Sequence, residues 1–201
     1  YLLFKNLEKP ILATSANLKD EPIVTKKEDI FFKLANLVDF VLDYNREIVN
    51  SCDDSIVQIV GKKVLKLRNS RGFAPNILQV EKKFSKKVLA LGANQKATFT
   101  IAFENKIITT VYLGDLNSIA SIENYKKTLE NFLHFYDFKP EIIVCDKHPN
   151  YETTKIALEF VKENKNLNLI QVQHHYAHIL AVLAEKSLKK DVLAFCFDGT
   201  G

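Results

Sequence analysis

Three of the five histidines in this 201-residue chain fall within one stretch, VQHHYAHI, at positions 172–179. His174 and His178 are four residues apart, which on a helix places both imidazoles on one face, about one turn apart. Two imidazoles so placed can bind one metal ion, and His175 with His178, three apart, offers a second such pair. The spacing alone also fits histidines that cap a helix or bond to carboxylates. No HExxH pattern is present, so a zincin-type protease is not indicated.

The flanking residues indicate which elements would position these histidines. The apolar run ILAVLAE follows them and predicts a helix beginning near Gln173. The strand-like run NLNLIQV precedes them. The histidines are therefore expected at a strand-to-helix junction, which is where α/β folds place their ligands.

Polar clusters in the first part of the chain are candidates for binding anions or a cation. Ser15 and Asn17, in LATSAN, can bind phosphate or carboxylate oxygens, although the same residues are equally typical of a polar turn that binds no ligand. The two acids of NSCDDS can bind Mg²⁺ or simply end a loop, and Ser55 follows them at the start of a strand. LRNSRGFAP supplies Arg68 and Arg71, whose planar guanidinium groups suit phosphate, or a solvated surface.

The stretch NSRGFAPNILQVEKKFSKK, at 69–87, has Gly, Pro and then a charged run, which predicts a domain boundary near residue 82 and domains 1–82 and 83–201. In the first domain, PILATSAN, FVLDYN, SIVQIV and KVLKLR are predicted strands, with Gly61-Lys62 as a hairpin turn. EDIFFKLANL is a predicted helix with Thr25 as N-cap and Glu28 completing a capping box. In the second domain a meander precedes alternating strands and helices: helices at 121–138 and over YETTKIALEFVKEN, strands at EIIVCD, NLNLIQV and DVLAFCFDGTG. This order predicts a mixed α/β sheet.

Composition and charge limit the classes of protein to which the chain can belong. A hydrophobic content of 47% is ample for a core, and a net charge of +4 does not by itself indicate nucleic acid. The three cysteines are far apart; Cys145 and Cys196 lie in apolar runs and are predicted to be buried free thiols of a reducing, cytoplasmic setting. No signal peptide or membrane span is predicted. The lack of any Met and the final FDGTG suggest a fragment of a longer protein, which alone is expected to be inactive.

The order of the motifs resembles one known family. TSAN, CDDS and LRNSRGFAP look like the C-terminal part of a YrdC-like α/β domain, which binds ATP and forms adenylates. LGANQKATF, CDKHPNYETTK, QVQHHYAHILAVLAE and FDGTG follow in the order of the N-terminal lobe of an actin-like (ASKHA) ATPase domain of the TsaD type. The whole chain resembles the HypF family of [NiFe]-hydrogenase maturation carbamoyltransferases.

The resemblance implies roles for particular residues. His174 and His178 would bind Zn²⁺ or Fe²⁺, with a further carboxylate ligand expected beyond Gly201, and His175 would face the substrate. Lys96 would supply charge and Asp198 would position a metal or water, both as catalytic residues. The residues implied to bind ATP and its Mg²⁺ are Ser15, Asn17, Ser55, Arg68, Arg71, Gly92, Gly199 and Gly201.

The resemblance also implies a reaction. Carbamate from carbamoyl phosphate would react with ATP to give carbamoyl-adenylate, and the carbamoyl group would pass to the C-terminal cysteine of HypE. Three alternatives stay open: tRNA threonylcarbamoylation by the same two folds, an antibiotic-type O-carbamoyltransferase, whose reversed domain order argues against it, and a non-catalytic YrdC-like module binding double-stranded RNA through the basic cluster at 62–71.

Overall fold

The structure, a computed structural model, describes residues 3–43 and 45–198. After a single 3-10 turn at Leu3–Lys5, the first part of the chain is mostly irregular. The helices and strands are, in chain order, α1 (Lys27–Leu34), β1 (Ile56–Val60), β2 (Lys63–Arg68), β3 (Asn76–Ala90), β4 (Thr100–Thr109), α2 (Ile119–Phe135), β5 (Ile142–Asp146), α3 (Glu152–Glu163), β6 (Asn168–Val172) and α4 (His174–Glu185). No helix within the described ranges is long and apolar enough to cross a membrane.

The second part of the chain is built on a four-stranded mixed sheet in the order β4-β3-β5-β6. β3 pairs antiparallel with β4 and parallel with β5, and β5 pairs parallel with β6. The helices α2 and α3 connect consecutive strands, as parallel pairing requires a crossover. The predicted mixed sheet is therefore present. The domain boundary predicted near residue 82 lies inside β3 and stays a prediction.

The core lies between this sheet and its helices. Leu89, Ile101 and Ile143 on the sheet are fully buried, as is Tyr125 on α2. The ring of Phe99 packs edge-on against Tyr125, with ring centroids 5.6 Å apart. The Tyr125 hydroxyl donates a hydrogen bond to the Leu91 carbonyl at 2.6 Å, and burial raises the pKa of this phenol far above its ordinary value. Aromatic packing and one satisfied polar group thus anchor α2 to the sheet.

Most elements of the second part agree with the sequence. β5, α3, β6 and α4 match the predicted segments closely. The predicted helix at 121–138 lies at 119–135, because Ser118 caps it. The segments predicted to form the meander, VLALGANQKATFTIAF and KIITTVYLG, contain the end of β3 and the single continuous strand β4.

Three predicted strands do not form in the described residues: those at 10–17, 40–45 and 191–201. Their apolar side chains, such as Leu12, Phe40 and Phe197, are almost fully exposed. A strand needs a partner for its backbone groups, and apolar composition alone does not supply one. The hairpin β1–β2 is confirmed, and Gly61 adopts φ +62° in its turn. Cys145 is buried as predicted, but Cys196 is only partly buried.

The helix starts differ in how well their caps were predicted. The capping box at Thr25 and Glu28 is wrong: α1 begins after Lys26, with no side-chain cap. At α2, the Ser118 hydroxyl accepts from the Ser121 backbone N–H at 3.1 Å, and the Ser121 hydroxyl accepts from the Ser118 N–H at 3.2 Å. A serine replaces the usual Glu or Gln in this reciprocal box.

We expect Ser118→Ala to lower the free energy of unfolding by about 1 kcal/mol, because it leaves an N–H of the first turn without a partner. Thr25→Ala is the matched control and should change stability by less than about 0.5 kcal/mol, since Thr25 caps no helix. Urea denaturation of the two variants measures both values. Equal losses would contradict the assignment of the caps.

Candidate functional site

His174 and His178 lie on the first turns of α4, directly after β6. Gln173 caps this helix, and its side-chain oxygen accepts from the Tyr176 backbone N–H at 2.8 Å. The predicted helix start near Gln173 is therefore confirmed. The Nε2 atoms of the two histidines lie 3.3 Å apart. The four-residue spacing thus brings the Nε2 atoms of the two imidazoles close enough together to bind one metal ion.

Asp198 brings a carboxylate to the same point. Its Oδ2 lies 3.0 Å from the His174 Nε2 and 3.9 Å from the His178 Nε2. The three ligand atoms form a cluster of the kind that can hold a metal ion. The sequence predicted two ligands here and a catalytic role for Asp198; the structure adds Asp198 as a third candidate ligand.

The geometry of this cluster fits a metal ion of the predicted kind. From the three distances, a point about 2.0 Å from all three atoms exists, and zinc lies about 2.0–2.2 Å from histidine nitrogen and carboxylate oxygen. Two imidazoles and one carboxylate are a donor set that suits Zn²⁺ or Fe²⁺. Such a set leaves coordination positions for water or substrate.

A second carboxylate lies behind His174. Asp146, the last residue of β5, has its Oδ2 2.7 Å from the His174 Nδ1, and its side chain is only 8% exposed. Its Oδ1 accepts from the His148 backbone N–H at 2.8 Å. In the sequence, Asp146 stands out only as the residue that ends a predicted strand. The sequence feature that could have identified it is an acidic residue at the end of the apolar strand EIIVCD. The next strand, β6, leads directly into the histidines.

Tyr151 lies beside the cluster, with its ring centroid 6.2 Å from that of His174. The rings of His148 and Tyr151 stack with centroids 4.2 Å apart. Burial, together with the negative charges of Asp146 and Asp198, raises the pKa of the Tyr151 hydroxyl. His175 lies outside the cluster, and its Nδ1 is 3.1 Å from the Gln173 side-chain nitrogen. The predicted role of His175 toward substrate stays a prediction.

The loop after β3 is the predicted phosphate loop with Gly92 and Lys96. Gly92 has φ +68°, and a Cβ there would lie 2.4 Å from the Thr98 carbonyl oxygen. The Lys96 backbone N–H donates to the Asp115 carboxylate at 2.7 Å. Asn94 accepts from the Glu152 N–H at 2.7 Å, so this loop caps α3. Gly92 therefore also has a packing role, which its motif does not indicate.

The remaining predicted residues lie in the first part of the chain. Ser15 donates to Asn17 at 2.5 Å, and Asn17 donates to the Leu18 carbonyl at 3.0 Å. No hydrogen bond or ion pair among the described residues joins this pair to Ser55 or the two arginines. Gly199 and Gly201 lie outside the described residues.

Ser55 and Arg71 are brought together, whereas Arg68 is held separately. The Ser55 hydroxyl donates to the Arg71 carbonyl at 2.9 Å and accepts from the Ser70 N–H at 2.8 Å. The Arg71 guanidinium donates to the Cys52 carbonyl at 2.9 Å. The guanidinium carbon of Arg68 lies 4.6 Å from the ring centroid of Tyr112, a residue of the second part of the chain.

We expect Gly92→Ala to lower the free energy of unfolding by about 3 kcal/mol, from left-handed backbone strain and overlap with Thr98. Gly114→Ala is the matched control, since Gly114 has φ +85° but open space around its Cβ position. It should cost about 1–2 kcal/mol. Similar losses in chemical denaturation would show that the close approach to Thr98 is unimportant.

Comparison with known proteins identifies two families along the chain. The family described as the HypF Kae1-like domain matches residues 83–185. The Sua5/YciO/YrdC family, described as telomere recombination, matches residues 1–70. These matches agree with the predicted fold, a YrdC-like part followed by an actin-like part.

Curated relatives and solved structures agree with these families. The chain is 43% identical, over its whole length, to the carbamoyltransferase HypF of Synechocystis sp., and 36% identical to a probable carbamoyltransferase HypF of Methanocaldococcus jannaschii. It spans 26% of the length of each, about a quarter.

A crystal structure of full-length HypF in a phosphate- and nucleotide-bound form matches all of this chain, and 31% of its own chain, with a TM-score of 0.87 and 32% identity. The crystal structure of T. kodakarensis HypF matches 87% of this chain and 23% of its own, with a TM-score of 0.77 and 35% identity. The fold prediction is confirmed, and the chain belongs to the HypF carbamoyltransferase family.

Proposed function

We propose that the protein carrying this chain is an ATP-dependent carbamoyltransferase of [NiFe]-hydrogenase maturation. Carbamate derived from carbamoyl phosphate reacts with ATP to give carbamoyl-adenylate and pyrophosphate, and the carbamoyl group then passes to the sulfur of the C-terminal cysteine of HypE with release of AMP. The observation that carries the proposal is the cluster of His174, His178 and Asp198 in the Kae1-like part of a chain that also has a YrdC-like part. Family membership supplies the reaction class.

Adenylate formation is assigned to the YrdC-like part. Arg68 is the cation best placed to counter phosphate charge, because Arg71 already donates to the Cys52 carbonyl and lies 3.6 Å from Asp54. Ser55, whose hydroxyl bonds two backbone groups, holds the loop before Arg71 in place. Ser15 and Asn17 offer uncharged donors and acceptors for the nucleotide. Such fixed groups stabilise the charge that develops during the reaction.

Carbamoyl transfer is assigned to the Kae1-like part. A Zn²⁺ or Fe²⁺ ion held by His174, His178 and Asp198 would supply Lewis acidity toward a phosphate or carbamoyl oxygen. Lys96, with Gly92 and the glycines at 199 and 201, would bind the phosphates of a nucleotide with its Mg²⁺. The Tyr151 hydroxyl, whose pKa is raised, keeps its proton at neutral pH and is available as a hydrogen-bond donor beside the cluster.

The two parts of the chain touch, which suits a labile intermediate. The Tyr112 backbone N–H donates to the Asn69 carbonyl at 3.0 Å, and the Ser51 hydroxyl donates to the Asn124 side chain at 2.9 Å. Arg68 itself lies against Tyr112. Adjoining sites limit the loss of carbamate and its adenylate to water.

The deciding experiment is ATP–pyrophosphate exchange by the protein carrying this chain. We expect exchange that depends on carbamoyl phosphate and does not occur with threonine plus bicarbonate. Exchange with threonine and bicarbonate alone would overturn the proposal in favour of tRNA threonylcarbamoylation. No exchange with either would leave RNA binding as the function to test.

We expect Arg68→Ala to lower the exchange rate by about 100-fold, because a charge-stabilising donor is lost. Arg46→Ala is the matched control, since Arg46 is an exposed arginine of the same region with no assigned role. It should leave the rate unchanged. A normal rate in Arg68→Ala would remove Arg68 from the nucleotide site.

We expect His174→Ala to lose bound zinc and carbamoyl transfer to a cysteine peptide, while ATP–pyrophosphate exchange continues. Transfer should be lost while exchange continues, because the two half-reactions are assigned to different parts of the chain. His134→Ala, at the exposed end of α2, is the control and should change neither measurement. Metal analysis and a labelled-carbamoyl assay measure the outcome. Transfer at the normal rate by a zinc-free variant would refute the role of the metal centre.

A further inference from the structure

Asp146 is the most buried carboxylate beside the candidate metal centre and is not one of its three ligand candidates. One carboxylate oxygen lies 2.7 Å from the Nδ1 of His174, and the other accepts from the His148 backbone N–H at 2.8 Å. Its side chain is 8% exposed, compared with 22% for His174. Both of its oxygens are thus engaged with fixed partners on the protein.

The fold holds Asp146 rigidly in this position. The parallel register places Asp146 directly beside Val172, two residues before His174. The next backbone N–H, that of Lys147, donates to the Val172 carbonyl at 3.0 Å. The buried Thr154 hydroxyl donates to the Asp146 carbonyl at 3.2 Å. These contacts fix the backbone of Asp146, and the His148 N–H and the His174 ring fix its carboxylate.

We propose that Asp146 is a positioning residue that selects the metal-binding tautomer of His174. Both ring nitrogens of His174 face a carboxylate, which only accepts hydrogen bonds: Nδ1 lies 2.7 Å from Asp146, and Nε2 lies 3.0 Å from Asp198. A metal ion between His174, His178 and Asp198 would take the lone pair of Nε2, so the single proton of the neutral ring must lie on Nδ1, where Asp146 accepts it. Carboxylates that bond the second nitrogen of a metal-binding histidine act in this way. This inference rests on the proposed metal centre.

The two histidines differ in how well they are prepared for a metal. His178 is 54% exposed, and its Nε2 lies 3.3 Å from the His174 Nε2 and 3.9 Å from the Asp198 Oδ2. His174 is held from both ring nitrogens. The structure therefore makes His174 the preorganised ligand, and Asp146 is the residue that preorganises it.

Asp146→Asn is the sharpest test. The His148 backbone N–H is a fixed donor, so the single amide oxygen of asparagine must face it. The amide NH₂ then faces His174, and it requires an acceptor at Nδ1. That moves the imidazole proton to Nε2, where it blocks the metal.

We expect the Asp146→Asn protein to bind Zn²⁺ about 10- to 100-fold more weakly in a chelator-competition titration. Glu141→Gln is the matched control: Glu141 lies just before the other end of β5, and its carboxylate likewise accepts a backbone N–H, that of Lys87, at 2.9 Å. This variant should bind Zn²⁺ as the parent does. Unchanged zinc affinity in a folded Asp146→Asn protein would overturn the proposal.

A measurement on the unsubstituted protein decides the question even if the variant fails to fold. In ¹⁵N NMR spectra of the histidine-labelled, zinc-loaded protein, His174 should carry its proton on Nδ1 and its metal on Nε2. Zinc on Nδ1, or no zinc at His174, would overturn the proposal. Neither readout involves ATP or carbamoyl transfer, so the proposed reaction can fail while this inference stands.

Discussion

The candidate site depends on the parallel pairing of β5 with β6. Five residue pairs keep these strands in register, from Ile142 beside Asn168 to Asp146 beside Val172. Side chains alternate along a strand, so a slip of one residue would turn Ile143 and Cys145 out of the core. The same slip would carry Asp146 away from His174. One register therefore determines both the burial of Ile143 and Cys145 and the alignment of the Asp146 carboxylate with the His174 imidazole.

Two helix starts meet at this edge of the sheet. α3 and α4 follow β5 and β6, and the carboxyl ends of parallel strands lie at the same edge. Asn94 caps the first, and Gln173 caps the second. Helix N-termini carry partial positive charge and favour anions, which a phosphate-bearing substrate would exploit. The carboxylates of Asp146 and Asp198 are already present there, and a cation between the histidines would balance them.

Features that depend on residues close together in the sequence were predicted. Contacts that depend on the order in which the strands pair were not. The histidine spacing, the start of α4 and the buried strand β5 are local patterns, and the structure has all three. The contacts of Asp146 and Asp198 with His174 join residues 28 and 24 positions apart, so spacing gives no sign of them. The same holds for Asn94, whose loop caps a helix 58 residues later.

Some local patterns also failed, for physical reasons. Thr25 has the right residue type for a cap, but α1 begins one residue after Lys26, out of its reach. The apolar runs at 10–17, 40–45 and 191–201 have strand-like composition, yet no described strand pairs with them. The phosphate role of Gly92 stays a prediction, and its φ and the close Thr98 carbonyl give an independent reason why a side chain does not fit there.

The long strand β3 determines how the two parts of the chain are connected. Asn76–Gln79 pair with residues 106–109 of β4, and residues 88–90 pair with residues 100–102, with register shifts on both sides of Phe84. Such bulges bend a strand pair without breaking it. The predicted boundary near residue 82 falls in the irregular stretch between Gln79 and Phe84, where β3 continues without a register partner on β4. The pairing on either side of this stretch holds β3 against β4. Together with the contact of Arg68 and Tyr112, this pairing keeps the two parts of the chain against each other.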